Sequence, residues 1–229
     1  MIRQPIAHRG LHDYNRSICE NSLTSIELAK DLGFAVEVDL RLTKDEIPVV
    51  FHDKSLYRAV GIKCCIKDLT YEELKKVFIF DCFQTIPTLN QVLVLVNGEV
   101  DLLIDLKGAI LNRKLERKVI EVLKEYKGVV SFQSFNPLSV RWIKAKTGWS
   151  VGLLTKSLGT TFKMVKLFAG AIDFIALNKN YVIEKNYPII RKTKIPVYVW
   201  TIKDSEEHNS ICSACDNIIF EGFQPKRID

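Results

Sequence analysis

No run of apolar residues in this 229-residue chain reaches the ~18 that a membrane-spanning helix needs. The opening MIRQPIAHRG holds no apolar core of the kind that directs export, so a cytoplasmic protein is expected. Low-complexity tracts and linkers are also lacking, and there is no internal repeat beyond an alternation of strand-like and helix-like runs. Charge of one sign is not in large excess: 33 Lys and Arg face 27 Asp and Glu, a net +6. That balance helps attract a phosphate-bearing small molecule but is too small and too scattered for nucleic-acid binding. Cysteines are few and poorly spaced for metal or redox work. Cys64 and Cys65 are adjacent, and Cys212 and Cys215 form a lone C-x-x-C with no second pair. All six, including Cys19 and Cys82, are expected to be reduced structural thiols.

What is present is a large apolar fraction, 47% of the chain, enough for a sizeable buried core. Short runs rich in Val, Ile, Leu and Phe fall at 5–8, 35–42, 49–52, 101–107, 129–133, 150–154, 173–177, 197–201 and 217–220. Most show little polar alternation, as parallel strands covered on the outside by helices do. Helical patterns lie between them. Leu23, Ile26, Ala29 and Leu32 recur at helical spacing before Gly33, and Leu115, Val119, Val122 and Leu123 do so before Gly128. Asn136-Pro137 reads as an N-cap followed by a first helical residue. Further helices are expected over 88–96, 159–168, 182–192 and 205–214. With 49–52 continuing the sheet after a short break, eight main strands remain, and repeated βα units of that number point to a (β/α)₈ barrel. Residues 1–229 are read as one domain. The basic segment 53–88, with one short helix near 70–77, is an insertion after the second strand, and a full eighth helix is not expected.

The polar residues inside these strands carry the chemistry. In AVEVDLRLT, Val36, Val38, Leu40 and Leu42 share one face, and Glu37, Asp39 and Arg41 share the other. An edge strand with a wetted face would explain this. A barrel strand would instead aim the carboxylates inward, where they need a proton, a basic partner or a metal. In LLIDLKG, Leu103, Asp105 and Lys107 share a face, a second apolar strand with an acid near its C-terminal end. Glu37, Asp39 and Asp105 would make a hard oxygen site suited to Mg²⁺, Ca²⁺ or Mn²⁺. His8 and His52 end strands, at the rim where this fold builds active sites. They read either as structural residues or as a general acid and base. Arg9 and Lys107 can hold a phosphate. His12 and His208 are expected at the surface, and Asn21 reads either as the N-cap of the first helix or as a site-shaping residue.

Taken in order, the chain carries HRG at 8–10, EN at 20–21, E-x-D at 37–39, HD at 52–53, D-x-K at 105–107, Q-S-F at 133–135 and V-W-T at 199–201. This order and spacing resembles the glycerophosphodiester phosphodiesterases. The resemblance implies a (β/α)₈ barrel whose insertion walls the substrate site. It implies metal ligands at Glu37, Asp39 and Asp105 for one divalent cation, Mg²⁺ or Ca²⁺, with Mn²⁺ as a further option. It implies catalytic histidines at His8 and His52 and phosphate contacts at Arg9 and Lys107. Ser134, Phe135 and Trp200 would line the pocket. The chain departs from the family pattern at Asp105, usually Glu; at Lys203, often Asn; and at Phe220-Glu221, commonly Thr-Asp. The implied activity is hydrolysis of a small glycerophosphodiester to glycerol 3-phosphate and an alcohol. Alternatives are lysophospholipase D-type hydrolysis of lysolipids, which needs an apolar entrance, and a non-catalytic ligand-binding barrel.

Overall fold

Short parallel strands need both faces covered and no open edge; closing the sheet removes the edges and encloses one face, and helices cover the other. The structure is a computed structural model and describes residues 1–109, 112–157, 159, 163–164, 167–168 and 170–226. In chain order the strands are β1 (Ile6–Ala7), β2 (Ala35–Leu42), β3 (Pro48–Val50), β4 (Phe78–Ile79), β5 (Gln84–Thr85), β6 (Leu102–Leu106), β7 (Val130–Ser134), β8 (Ser150–Thr155), β9 (Phe174–Asn178), β10 (Val197–Ile202) and β11 (Asn217–Phe220). Strands β1, β2 and β6 to β11 are all parallel, and β1 pairs with both β11 and β2, so the eight close into a barrel. Helices α1 (Leu23–Asp31), α4 (Leu89–Val96), α5 (Lys114–Leu123) and α6 (Pro137–Lys146) cover the outside, with Tyr187–Arg191 and Ser205–Ile211 after β9 and β10.

The two faces of each strand bury different cores. Val36, Val38, Leu40, Leu102, Ile104 and Leu106 pack outward among the helices. Ile6, Leu103, Leu154, Phe174, Tyr198 and Ile219 fill the barrel interior, where the Phe174 and Tyr198 rings stack with centres 4.5 Å apart. Gly152 on β8 makes room for this stack, since a Cβ there would meet the Phe174 ring at 2.1 Å. Gly152→Ala should therefore destabilise the fold by about 1–3 kcal/mol, the usual cost of overpacking a filled core. A urea unfolding midpoint equal to wild type would show instead that the ring gives way freely.

Several local expectations change. The run at 49–52 does not continue the barrel; β3 pairs antiparallel with β2, with Leu40 opposite Val50. The connection 43–47 is too short for the crossover a parallel neighbour requires. The hairpin carries the chain back to the barrel rim, where the Phe51 N–H donates to the Asp39 carbonyl at 2.9 Å. The helix expected over 182–192 is reduced to one 3₁₀ turn, Glu184–Asn186, and the short helix Tyr187–Arg191, because Pro188 has no N–H and fits only a first turn. The helix expected over 159–168 falls mainly outside the described residues.

The insertion after β2 holds α2 (Tyr57–Val60), α3 (Tyr71–Leu74) and the β4–β5 hairpin. It has its own apolar cluster, in which Phe51, Leu56, Ile66, Leu74, Ile79 and Ile86 pack around Cys19. This packing corrects the reading of the thiols. Cys19 and Cys82, 63 positions apart, form a disulfide with their Cα atoms 6.1 Å apart. Cys64, Cys65, Cys212 and Cys215 are free.

Candidate active site

Strands β2 and β6 are neighbours in register, with Glu37 opposite Leu103 and Asp39 opposite Asp105. All three carboxylates therefore point into the mouth of the barrel. Glu37 and Asp39 are 1% exposed and Asp105 is 3% exposed, which excludes the wetted-edge reading of β2. One oxygen from each lies within 4.8 Å of the others. Asp39 is held on all sides: Lys107 Nζ lies 3.0 Å from Oδ1, Arg9 Nε 3.1 Å from Oδ2, and Asn21 Nδ2 donates to Oδ2 at 2.9 Å. Burial alone would raise the Asp39 pKa, but the Lys107 and Arg9 charges hold it below the usual carboxylate range. Glu37 goes the other way. Burial first, then repulsion from Asp39 and Asp105, pushes it well above its ordinary value. Burial also raises Asp105, to about 6, against the pull of Lys107 at 2.5 Å and with Asp39 adding to the rise. Asp105 Oδ1 is buried and accepts no hydrogen bond from any described residue. Buried, mutually repelling carboxylates with a spare oxygen fit a hard cation, so the cluster is able to hold a metal ion.

The HRG turn sets one histidine. The His8 N–H donates to the Phe220 carbonyl as β1 ends. Arg9 then takes φ 57° and Gly10 φ 78°. A Cβ on Gly10 would lie 2.6 Å from the Ser25 backbone, so only glycine lets this turn sit against α1. The Arg9 backbone N–H points to Glu37 Oε2 at 3.0 Å, and its guanidinium reaches Glu20 at 2.8 Å. Ser22, not Asn21, caps α1, accepting from the Ser25 N–H. Asn21 sits at φ 57°, a conformation that costs a non-glycine residue energy, and bonds both to the Asp39 side chain and to its N–H.

His8 Nδ1 lies 2.7 Å from Glu221 Oε2, and Lys203 Nζ lies 3.1 Å from Glu221 Oε1. Thus two residues that depart from the family pattern meet each other behind His8. Burial would raise the Glu221 pKa, but the His8 hydrogen bond and the Lys203 ammonium hold it down at about 2. His12 is not a surface residue: its side chain is 4% exposed with Nε2 3.8 Å from Glu221, and burial lowers its pKa. His208 is half-buried on Ser205–Ile211.

A parallel arrangement backs His52. Its Nδ1 lies 2.7 Å from Asp53 Oδ1, and Arg58 on α2 reaches Asp53 at 2.5 Å and Glu20 at 2.5 Å. Burial lowers the His52 pKa, partly opposed by Asp39. Each ring thus has Nδ1 committed to a carboxylate, which leaves Nε2 for proton transfer.

His8, Arg9, Glu37, Asp39, His52, Asp105 and Lys107 all line one cavity of about 130 Å³, walled also by Phe135 and Trp200. The two rings meet edge to face with centres 5.8 Å apart. Ser134 does not line this cavity, a correction to the sequence reading. Its hydroxyl donates to the Leu106 carbonyl and accepts from the Asn136 N–H. The alternation along β7 explains the error: Gln133 is the residue opposite Asp105 and so faces inward. Lys156, just after β8, was also missed; it lies in the lining with its ammonium 5.2 Å from the Phe135 ring centre. No local pattern singles out one lysine among many.

Residues 8–219 match the model of the glycerophosphoryl diester phosphodiesterase family, and the chain belongs to that family. It is 35% identical over 151 residues to a glycerophosphodiester phosphodiesterase of Caldanaerobacter subterraneus, a match spanning 61% of this chain and 60% of that protein. Among solved structures it is similar to a glycerophosphodiester phosphodiesterase from Thermotoga maritima, with TM-score 0.79, 26% identity and coverage of 96% and 94% of the two chains. An Oleispira antarctica phosphodiesterase in complex with the product sn-glycerol-3-phosphate shares the fold, with TM-score 0.83, 24% identity and coverage of 96% and 93%. No helix among the described residues is long and apolar enough to cross a membrane.

Proposed function

We propose that the protein hydrolyses glycerophosphodiesters to glycerol 3-phosphate and an alcohol, using one Mg²⁺ or Ca²⁺, with Mn²⁺ as a substitute, at Glu37, Asp39 and Asp105. One observation carries this reading. Three buried carboxylates and two carboxylate-backed histidines meet in a single small cavity. A hard cation bound there would supply Lewis-acid polarisation and a lowered pKa for a hydroxyl beside it. The residues of the chain do the rest. One imidazole takes the proton of the attacking hydroxyl, from glycerol itself or from water, and the other protonates the oxygen of the departing alcohol. Arg9 and Lys107 hold the phosphate oxygens and oppose the charge that builds on them. Phe135 and Trp200 cover the glycerol carbons and limit access of water.

Activity should be lost on exhaustive treatment with EDTA and return on adding Mg²⁺, Ca²⁺ or Mn²⁺, followed as glycerol 3-phosphate release. Undiminished turnover by metal-free protein would defeat the metal-dependent reading.

Hydrolysis of lysolipids is a second reading with its own support. An apolar cavity of about 260 Å³, lined by Pro137, Leu153 and Met164, adjoins the site and shares Phe135, Leu154 and Lys156 with it. It offers the apolar entrance that an acyl chain on glycerol requires. Assaying a lysolipid beside a deacylated diester separates the two.

A further inference from the structure

The largest cavity among those described is not the acidic one. It has a volume of about 630 Å³, within the usual range for a ligand site, and opens beside the carboxylates. Its walls carry Arg41, Lys44, Lys54, Lys67, Lys107 and Lys114. Glu46 is the one carboxylate in that lining, and it is taken by Lys114 at 2.7 Å. Lys67 pairs with Asp68 at 3.3 Å, but both are well exposed, so that pair neutralises little. Arg41 donates to the His52 carbonyl, at 2.8 and 2.6 Å, and to the Lys107 carbonyl at 3.5 Å; these acceptors are neutral, and its charge is balanced only in part by Asp39, Asp53 and Asp105. Lys44 and Lys54 make no ion pair among the described residues.

These cations stand on fixed backbone. The Lys44 N–H donates to the Leu69 carbonyl at 2.8 Å, and the Lys54 carbonyl accepts from the Ile66 N–H at 3.1 Å. The β2–β3 hairpin and the insertion are thereby stitched into one basic wall. Its position relative to the chemistry is set by Lys107, which lines both cavities and touches Asp39 and Asp105. The basic cavity thus meets the acidic one at Lys107, whereas the apolar cavity meets it at Phe135, Leu154 and Lys156.

We propose that the basic cavity is a subsite for the leaving alcohol, and that the enzyme prefers glycerophosphodiesters whose alcohol carries an anionic group of its own, a second phosphate or a carboxylate. This rests on the hydrolytic reading above. The reaction itself is unchanged. Water's oxygen ends on phosphorus, the bond from phosphorus to the alcohol oxygen breaks, and that oxygen takes a proton and departs with its anion held by the lysines. Attraction of this kind acts in the encounter and in binding, so it is read in KM and is weakened by salt.

The test uses metal-loaded protein and four glycerophosphodiesters, with glycerol, choline, serine or phosphoglycerol as the alcohol. The phosphoglycerol diester should show kcat/KM at least ~10-fold above the choline diester at low ionic strength, with the gap narrowing in salt. A matching gain for the serine diester would extend the class to carboxylates, and its absence would restrict it to phosphates. In Lys44→Glu with Lys54→Glu, which replaces two exposed side chains, the phosphoglycerol diester should lose ~10-fold or more through KM. The glycerol diester should stay within about twofold of wild type, and circular dichroism should confirm the fold. Equal kcat/KM across the four diesters in wild type, or a preference for choline, would overturn the subsite while leaving hydrolysis standing. No turnover of any diester would overturn the hydrolytic reading, and the subsite would fall with it.

Discussion

His8→Ala and His52→Ala should each lower kcat by at least ~10²-fold, the scale expected when a general acid or base is removed. Both rings line the acidic cavity, and both have Nδ1 held at 2.7 Å by a carboxylate that a cation in turn holds. That arrangement fixes the ring orientation and favours the neutral tautomer with its proton on Nδ1, which leaves Nε2 able to take one up. Neither ring belongs to an apolar core cluster, so both variants should keep the wild-type unfolding midpoint. Glu221→Gln keeps the size of the side chain but removes the charge opposite His8. It should give a smaller loss and a shifted pH profile of kcat, which a purely structural role would not produce. Near wild-type turnover in either alanine variant would leave that histidine a structural residue and end the two-histidine mechanism.

Asp105→Asn should weaken binding of the divalent ion by at least ~10-fold, since even residues that only support metal ligands are worth that much. Lys107 already occupies Asp105 Oδ2, which leaves Oδ1, buried and without a hydrogen bond from any described residue, as the oxygen with a lone pair to spare. Asp reaches ~1.5 Å less than the Glu usual at this position, about one carbon–carbon bond. A shorter reach leaves a wider site or room for a bridging water. Ca²⁺ tolerates such geometry better than Mg²⁺, which requires ligands near ~2.1 Å. Asp105→Glu should therefore bind metal and change the order of preference among the ions. Calorimetric titration of each ion against the three proteins reads this without any assay of activity. Equal affinities for wild type and Asp105→Asn would remove Asp105 from the ligand set.

Much of this was legible in the linear chain, because strand geometry is local. A period of two put Glu37 with Asp39 and Asp105 with Lys107 on inward faces, and those faces do converge at the barrel mouth. The Q-S-F motif places Ser134 in the pocket, but strand parity gives the inward position to Gln133, opposite Asp105. Residues 49–52 were apolar enough for a strand, but apolarity says nothing about direction, and the short 43–47 connection made β3 antiparallel.

What supports the site came from elsewhere in the chain. Glu221 is 213 positions from the histidine it holds, and Arg58 is 38 positions from Glu20. Cys82 meets Cys19 only because the insertion packs its own apolar cluster against the loop before α1. Lys44 and Lys54 look like ordinary surface lysines until the hairpin and the insertion are stitched together. The sequence by itself determined the barrel, the carboxylates and the two histidines, since repeating βα units and side-chain alternation are properties of neighbouring residues. Only the tertiary structure decided what stands behind each histidine and which side chains line the basic cavity next to Lys107. Closing the barrel brings β11 beside β1 and folds the insertion over the rim, and no local pattern records which distant side chains those movements join.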